Sequence, residues 1–296
     1  MKKLIIHSVL FLLPLVLLLA LVPVDRRILF KELKDDCLNK GIWMHDRIHI
    51  NTTPIDIAFL GTSHTINAID EKVIEANLSD STLDVTNFGY CRIGRNLNLA
   101  LLEEIGKKKT PQVVVLEIRE NENLKGHPVA PYIVSSSSFL KWNSWFHSAS
   151  LSDLWKHLSY KTQLTQDKYY NRIDSLHFFP WDHYHKSAID TATDLTHSNK
   201  PIKKGIELKY TYPHSYLKQI AKWCSNRNVE LVFIYLPNYS YRNAAPLHID
   251  FYEEYGKVWL PPAELLNNNN LWYDIEHLNT AGAKKYSEWV ASKLEE

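Results

Sequence analysis

Ile55-Asp56-Ile57-Ala58-Phe59-Leu60-Gly61-Thr62-Ser63-His64 is the stretch on which the fold turns. The apolar run from Ile55 to Leu60 stops at a glycine, the pattern of a strand buried in a parallel sheet. Turn-forming Asn51-Thr52-Thr53-Pro54 precedes it, and helical spacing from Asp70 to Leu78 follows it. Outward from there, strand and helix alternate. Leu83 to Phe88 reads as a second strand, Asn96 to Lys109 as a helix whose basic end suits its C-terminal dipole, and Val113 to Ile118 as a third, apolar strand. A helix near Tyr212 to Arg227, a strand from Val229 to Leu236 and a last helix from about Ala281 to Leu294 resume the rhythm. Short connections and right-handed crossovers then predict an α/β fold, a three-layer α/β/α sandwich around a parallel sheet.

The alternation fails between Arg119 and about residue 210, where aromatics, histidines, serines and prolines crowd together without periodicity. This segment reads as an insertion, either a lid over the carboxyl ends of the strands or a cap on apolar surface. The core domain is therefore expected over residues 55–296, with the insertion at about 119–210.

Toward the amino terminus, Leu4 to Val24 is almost wholly apolar, about the length that crosses a hydrocarbon core as a helix. No small-residue cleavage site follows it, so residues 1–25 are expected to form an uncleaved transmembrane signal-anchor. Ile28, Leu29, Leu33 and Leu38 are spaced as in a helix, and residues 26–54 read as a juxtamembrane stalk. Lys2 and Lys3 are balanced by Arg26 and Arg27, so charge leaves the orientation open. The likeness to a signal-anchor places the domain outside the cytoplasm, periplasmic or on the cell surface, in a single-pass membrane protein.

A net charge of +1 among 296 residues offers no basic field for nucleic acid. The three cysteines, Cys37, Cys91 and Cys224, form no CxxC, allow at most one intrachain bridge and leave a free thiol. No P-loop or G-x-G-x-x-G is present, and no cofactor is expected.

Gly61-Thr62-Ser63-His64 directly after a buried strand is the sharpest chemical feature. A serine there is carried to the edge of the sheet beside backbone N–H groups that can hold an oxyanion. Serines at such turns also cap the helix that follows. At the other end of the domain stands Asp274-Ile275-Glu276-His277-Leu278-Asn279. A serine nucleophile needs a base, and the base needs a carboxylate to hold its tautomer, which Asp274 and His277 can supply from one turn. Alternatively, Asp274 makes a turn hydrogen bond and His277 lies at the surface. Asn279 or Thr280 caps the last helix on either reading.

Together these segments resemble the SGNH, or GDSL-like, hydrolase superfamily, in which a serine block after the first strand and a C-terminal D-x-x-H block bracket a flavodoxin-like domain. The resemblance spans roughly residues 55–294, with the insertion unmatched. It implies Ser63 as nucleophile, His277 as base and Asp274 as its orienting carboxylate. Asn87-Phe88-Gly89-Tyr90 matches a further block, implying that Gly89 donates its backbone N–H to the oxyanion. The family's G-x-N-D block after the third strand is replaced by Leu116-Glu117-Ile118-Arg119-Glu120-Asn121-Glu122-Asn123, leaving Asn121 and Asn123 as candidate oxyanion donors. With a membrane anchor, the chain is most similar in character to the D-alanyl transfer proteins of teichoic-acid synthesis and the alginate and peptidoglycan O-acetyltransferases. That likeness implies acyl transfer to an envelope polysaccharide or related polymer beside a multi-span membrane acyltransferase. The alternative is a non-catalytic accessory or binding subunit of such a system.

Three other groups invite chemistry. His177, Asp182, His183 and His185 could bind zinc or copper, although aromatic-rich loops often hold unliganded histidines, and no metal is expected. Glu117, Arg119, Glu120 and Glu122 could position substrate, or form a solvated charge run. Trp142, Trp145, Phe178, Phe179 and Trp181 could stack on sugar rings or simply pack together.

Overall fold

The computed structural model describes residues 2–21, 40–92, 94–119, 127, 159, 162, 181–184, 186–195, 211–239, 245–246 and 248–296. The chain divides into two compact units, Met1–Asp46 with Pro128–Phe179, and Arg47–His127 with Pro180–Glu296.

In the first unit, α1 (Lys2–Leu21) is a 20-residue helix with Pro14 inside it. Leu4, Leu10 and Phe11 are exposed on it. Among the described residues no helix is long and apolar enough to cross a membrane. The side chains of residues 16–21, part of the expected anchor, lie outside the described residues, as does the helical pattern from Ile28 to Leu38.

The second unit is built on a parallel sheet in the order β2-β1-β3-β4-β5. The last residues of helix α2 (Lys40–His49), from Arg47 on, open this unit and lead into β1 (Ile57–Leu60), α3 (Ser63–Ala68), α4 (Glu71–Asn77), β2 (Val85–Asn87), α5 (Arg95–Ile105) and β3 (Val113–Ile118). After the insertion come α6 (Thr211–Ser225), β4 (Glu230–Tyr235), α7 (Ile249–Glu253), β5 (Lys257–Trp259), α8 (Ala263–Asn267) and α9 (Thr280–Leu294). β5 and the short helices α3, α7 and α8 were not expected; β5 is no shorter than β2, but its residues are exposed or only partly buried, so no apolar run marks it.

Strand side chains alternate between faces. Ile57 and Phe59 of β1, Val115 of β3, and Val232 and Ile234 of β4 share a buried cluster with Ile74 of α4 and Tyr286, Val290 and Ala291 of α9. Ala58, Leu60, Val114, Leu116 and Phe233 turn to the other face and are also fully buried. α9 packs on α3 and α4, and α5 packs on α6, which also meets β4. The unit is thus a three-layer α/β arrangement in which β1 and β2 are fully buried, β3 and β4 nearly so, and β5 at the edge only partly.

Arg47 joins the amino end of this unit to its sheet, although it lies in the stretch read as a stalk. Its guanidinium is completely buried, pairs with Asp84, and donates to the carbonyls of Thr53 at 2.8 Å and Pro54 at 2.5 Å. Its Nε also donates to the Asp182 carbonyl at 3.1 Å. Removing one member of a buried ion pair leaves the other charge stranded, at a typical cost of about 3–5 kcal/mol. Arg47→Ala should therefore lower the urea midpoint of the full chain by an amount equivalent to about 3 kcal/mol or more. An unchanged midpoint would show that water reaches Asp84 readily.

Candidate active site

The site grows from the carboxyl ends of β1 and β3. Leu60 of β1 pairs with Leu116 of β3, so Gly61 and Glu117 are the next residues level with each other. Any Cβ on residue 61 would run into Thr65 Oγ1 and the Glu117 carboxylate. This close approach, and no special backbone angle, is why a glycine follows the strand. Thr62 then caps α3, its hydroxyl accepting from the His64 N–H at 3.2 Å. Ser63 is therefore the first residue of the helix and not its cap.

From the opposite end of the domain, a bridge between Trp272 and Leu278 closes the loop that carries Asp274 and His277. The Tyr239 N–H donates to the Ile275 carbonyl at 2.8 Å, tying that loop to the exit of β4. The tail of the insertion braces it too. Ile189 N–H donates to Thr280 Oγ1 at 2.8 Å, and Thr193 N–H to the Trp272 carbonyl at 3.3 Å. Asn279 caps α9 by accepting from the Gly282 N–H at 2.9 Å.

These constraints bring Ser63, His277 and Asp274 together. Ser63 Oγ lies 2.9 Å from His277 Nε2. The other ring nitrogen, Nδ1, lies 2.9 Å and 3.0 Å from the two Asp274 carboxylate oxygens. Asp274 also accepts the backbone N–H groups of Glu276 and His277 at 2.7 Å each. Partial burial pushes the Asp274 pKa up, but its hydrogen bonds with the His277 ring and these backbone donors outweigh that, and the net shift is downward.

Gly89 does not match its expected role so simply. Its N–H donates to Asn87 Oδ1 at 2.9 Å, while Asn87 Nδ2 donates to the carbonyls of Thr65 at 3.0 Å and Ile69 at 3.1 Å. The donor expected to face an oxyanion is engaged within the chain. The Ser63 N–H shows no partner among the described residues. Asn121 and Asn123 lie outside the described residues.

The charge run after β3 divides in two. Glu117 and Arg119 are buried and not solvated, whereas Glu120 and Glu122 lie outside the described residues. Arg119 Nη1 sits 2.9 Å and 3.0 Å from the two ring nitrogens of His64 and donates to Asn238 Oδ1 at 3.2 Å. Burial first, then the Arg119 charge, then that of His277, hold the His64 pKa well below its ordinary value. His64 is thus neutral near pH 7, its ring centroid 5.3 Å from that of His277.

Of the four residues weighed as metal ligands, the two described ones, Asp182 and His183, are held in structural bonds. His183 ring nitrogens lie 3.2 Å from Glu71 and 3.1 Å from Glu75, and hydrogen bonds to these two carboxylates raise its pKa to about 10 despite burial. Asp182 accepts from Asn51 at 2.8 Å. A cationic His183 offers no lone pair to a metal. His177 and His185 lie outside the described residues, as do Trp142, Trp145, Phe178 and Phe179, while Trp181 is exposed. Ligand-capable atoms of His64, Glu276 and His277 do lie within 4.8 Å of one another. Both His277 nitrogens already face Ser63 and Asp274, and the Arg119 cation lies within 3.0 Å of both His64 nitrogens, so this set is poorly suited to a second cation.

Asn238 is a neighbour that the sequence does not flag, while Glu117 and Arg119, which it offers as substrate-positioning or solvated charges, instead serve the Ser63 turn and His64. The available signal was a carboxylate inside an otherwise apolar buried strand, which persists only when satisfied. Compared with protein-family models, curated proteins and solved structures, the chain matches none.

The lowered Asp274 pKa sets a pH test. Stability contributed by its ionised form is complete above the unfolded carboxylate value, about 3.9, and is lost as pH falls through the lower folded value. Asp274→Asn should flatten that limb of a thermal-unfolding series run between about pH 2 and pH 6. Parallel curves for wild type and variant would contradict the assigned shift.

Proposed function

We propose that the chain is a serine-dependent acyl-transfer protein of the SGNH-like type, with Ser63 as nucleophile, His277 as general base and acid, and Asp274 orienting His277. The observation carrying this reading is the 2.9 Å contact from Ser63 Oγ to His277 Nε2, with Asp274 on the opposite ring nitrogen. The sheet order β2-β1-β3-β4-β5 also agrees with a flavodoxin-like domain, where ligands collect at the switch point beyond the strand ends.

Ser63 Oγ attacks an ester or thioester carbonyl as its proton passes to His277 Nε2, and Asp274 stabilises the imidazolium. The Ser63 N–H meets the oxyanion that forms. Collapse expels the leaving group, which takes the proton from His277, and leaves an acyl-serine. A polymer hydroxyl or water then attacks that ester, with His277 again accepting a proton and returning it to Ser63 Oγ. Gly89 joins the oxyanion hole only when the Asn87 side chain releases its N–H.

We place this chemistry outside the cytoplasm on a single membrane anchor, beside a multi-span membrane acyltransferase, with an envelope polysaccharide or related polymer as acceptor. Support comes from the exposed apolar side chains of α1 and from the disulfide at Cys91, since such bonds persist in oxidising compartments. Cys224 remains a free thiol, and burial raises its pKa to about 12. It is unsuited to serve as a competing nucleophile.

The engaged Gly89 N–H favours one other reading, an accessory subunit that keeps the fold and binds polymer without catalysis. Cells complemented with wild type, Ser63→Ala or His277→Ala distinguish the two through the acyl content of their envelope polymer. The catalytic reading predicts that both variants lower acylation to the level of the deletion strain, because losing a nucleophile or base costs about 10⁴–10⁶-fold in rate. Wild-type acylation in Ser63→Ala would leave the accessory reading.

A further inference from the structure

We infer that Glu117 is a positioning residue for the nucleophile, its buried carboxylate holding the Gly61-Thr62-Ser63 turn so that Ser63 Oγ meets His277 and the Ser63 N–H stays open to an oxyanion. The inference rests on the reading of Ser63 as nucleophile.

Glu117 is the one ionisable residue in β3, and its side chain is 1% exposed. A carboxylate in that setting is costly unless its oxygens are filled. They are filled by the nucleophile turn. Thr62 N–H donates to Oε2 at 2.6 Å, Thr65 Oγ1 donates to the same oxygen at 2.7 Å, and Thr62 Oγ1 lies 3.0 Å from both oxygens. Arg119 Nε, 3.6 Å from Oε1, balances the charge.

The donors belong to residues on both sides of Ser63. Thr62 precedes it and caps its helix, while Thr65 lies half a turn along the same helix. The other faces of the turn are held as well. Tyr90 N–H donates to the Gly61 carbonyl at 3.0 Å, and Asn67 Nδ2 to the Ser63 carbonyl at 2.7 Å. With these groups engaged, the Ser63 hydroxyl and N–H are the parts of the turn left for chemistry.

The same network reaches the base. Arg119 donates to Asn238 Oδ1, and Asn238 Nδ2 donates to Glu276 at 3.3 Å, next to His277. The Glu117–Arg119 pair therefore tensions two loops that arrive from opposite ends of the chain. A carboxylate suits the place because it only accepts, whereas an amide would present an NH₂ group to Arg119 or to the Thr62 N–H. Misplacing a reacting group by about 1 Å can cost about 100-fold in rate without weakening binding.

Hydrolysis of para-nitrophenyl acetate by the full chain in detergent tests this, with kcat and KM measured separately and folding followed by circular dichroism. Folded Glu117→Gln and Thr65→Val should lose about 10–100-fold in kcat with KM within about twofold of wild type. Thr65→Ser, which restores the hydroxyl, should recover most of the kcat lost in Thr65→Val. Folded Glu117→Gln with wild-type kcat overturns the inference, as does Thr65→Ser no faster than Thr65→Val, and the threonine pair decides if Glu117→Gln fails to fold. In both those outcomes Ser63→Ala remains inactive and the nucleophile reading survives. Equal turnover by wild type and Ser63→Ala removes that reading and this inference together.

Discussion

β1 is paired on one side with β2 and on the other with β3, and this single constraint organises the molecule. The chain leaving β1 enters α3 and α4 on the face covered by α9, while the crossovers before and after β3 use α5 and α6 on the other face. At the carboxyl ends of β1 and β3 the backbone therefore parts to opposite sides. The opening beyond the strand ends is filled by Glu117 from β3, by Arg119 just past its end and by His64 from the start of α3.

Filling that opening with charge is an unusual choice for a sheet enclosed on both faces. Apolar residues would be stabilising there, and a buried ion pair gives little net stability against a hydrophobic alternative. What the ion pair supplies is direction. Carboxylate oxygens fix the N–H and hydroxyl groups around Ser63, and the guanidinium links them to Asn238 and the loop before α9. A neutral His64 beside the cation avoids a second positive charge next to His277. Stability lost at the strand ends is recovered in the apolar layers, where Phe59, Val115, Ile234 and Val290 are excluded from water.

The backbone plan and the reacting residues were legible because each carries a local pattern. Four strands and the long helices follow from apolar patterning, whereas β5, as short as β2 but only partly buried, carries no apolar run. Ser63 stands out after Gly61, and Asp274 and His277 stand out through their spacing. Roles that depend on partners distant in sequence were not legible. Asn87 resembled part of an oxyanion block, yet its amide holds two carbonyls and the Gly89 N–H. His183 suggested a metal ligand, yet the acids that claim it lie on α4. Glu117 was weighed with the charges that follow it, although its neighbours in β3 are apolar and its partners lie about fifty residues earlier in the chain.

The central claim is that Ser63 is a nucleophile activated by His277. Its most direct test is intact-mass and peptide mapping after exposure of the native full chain to a fluorophosphonate, which forms a stable bond only with an activated serine. One adduct is expected, on the peptide containing Ser63, and none in the His277→Ala variant. An unlabelled wild-type chain, or labelling of Ser63 that persists undiminished in His277→Ala, would contradict it.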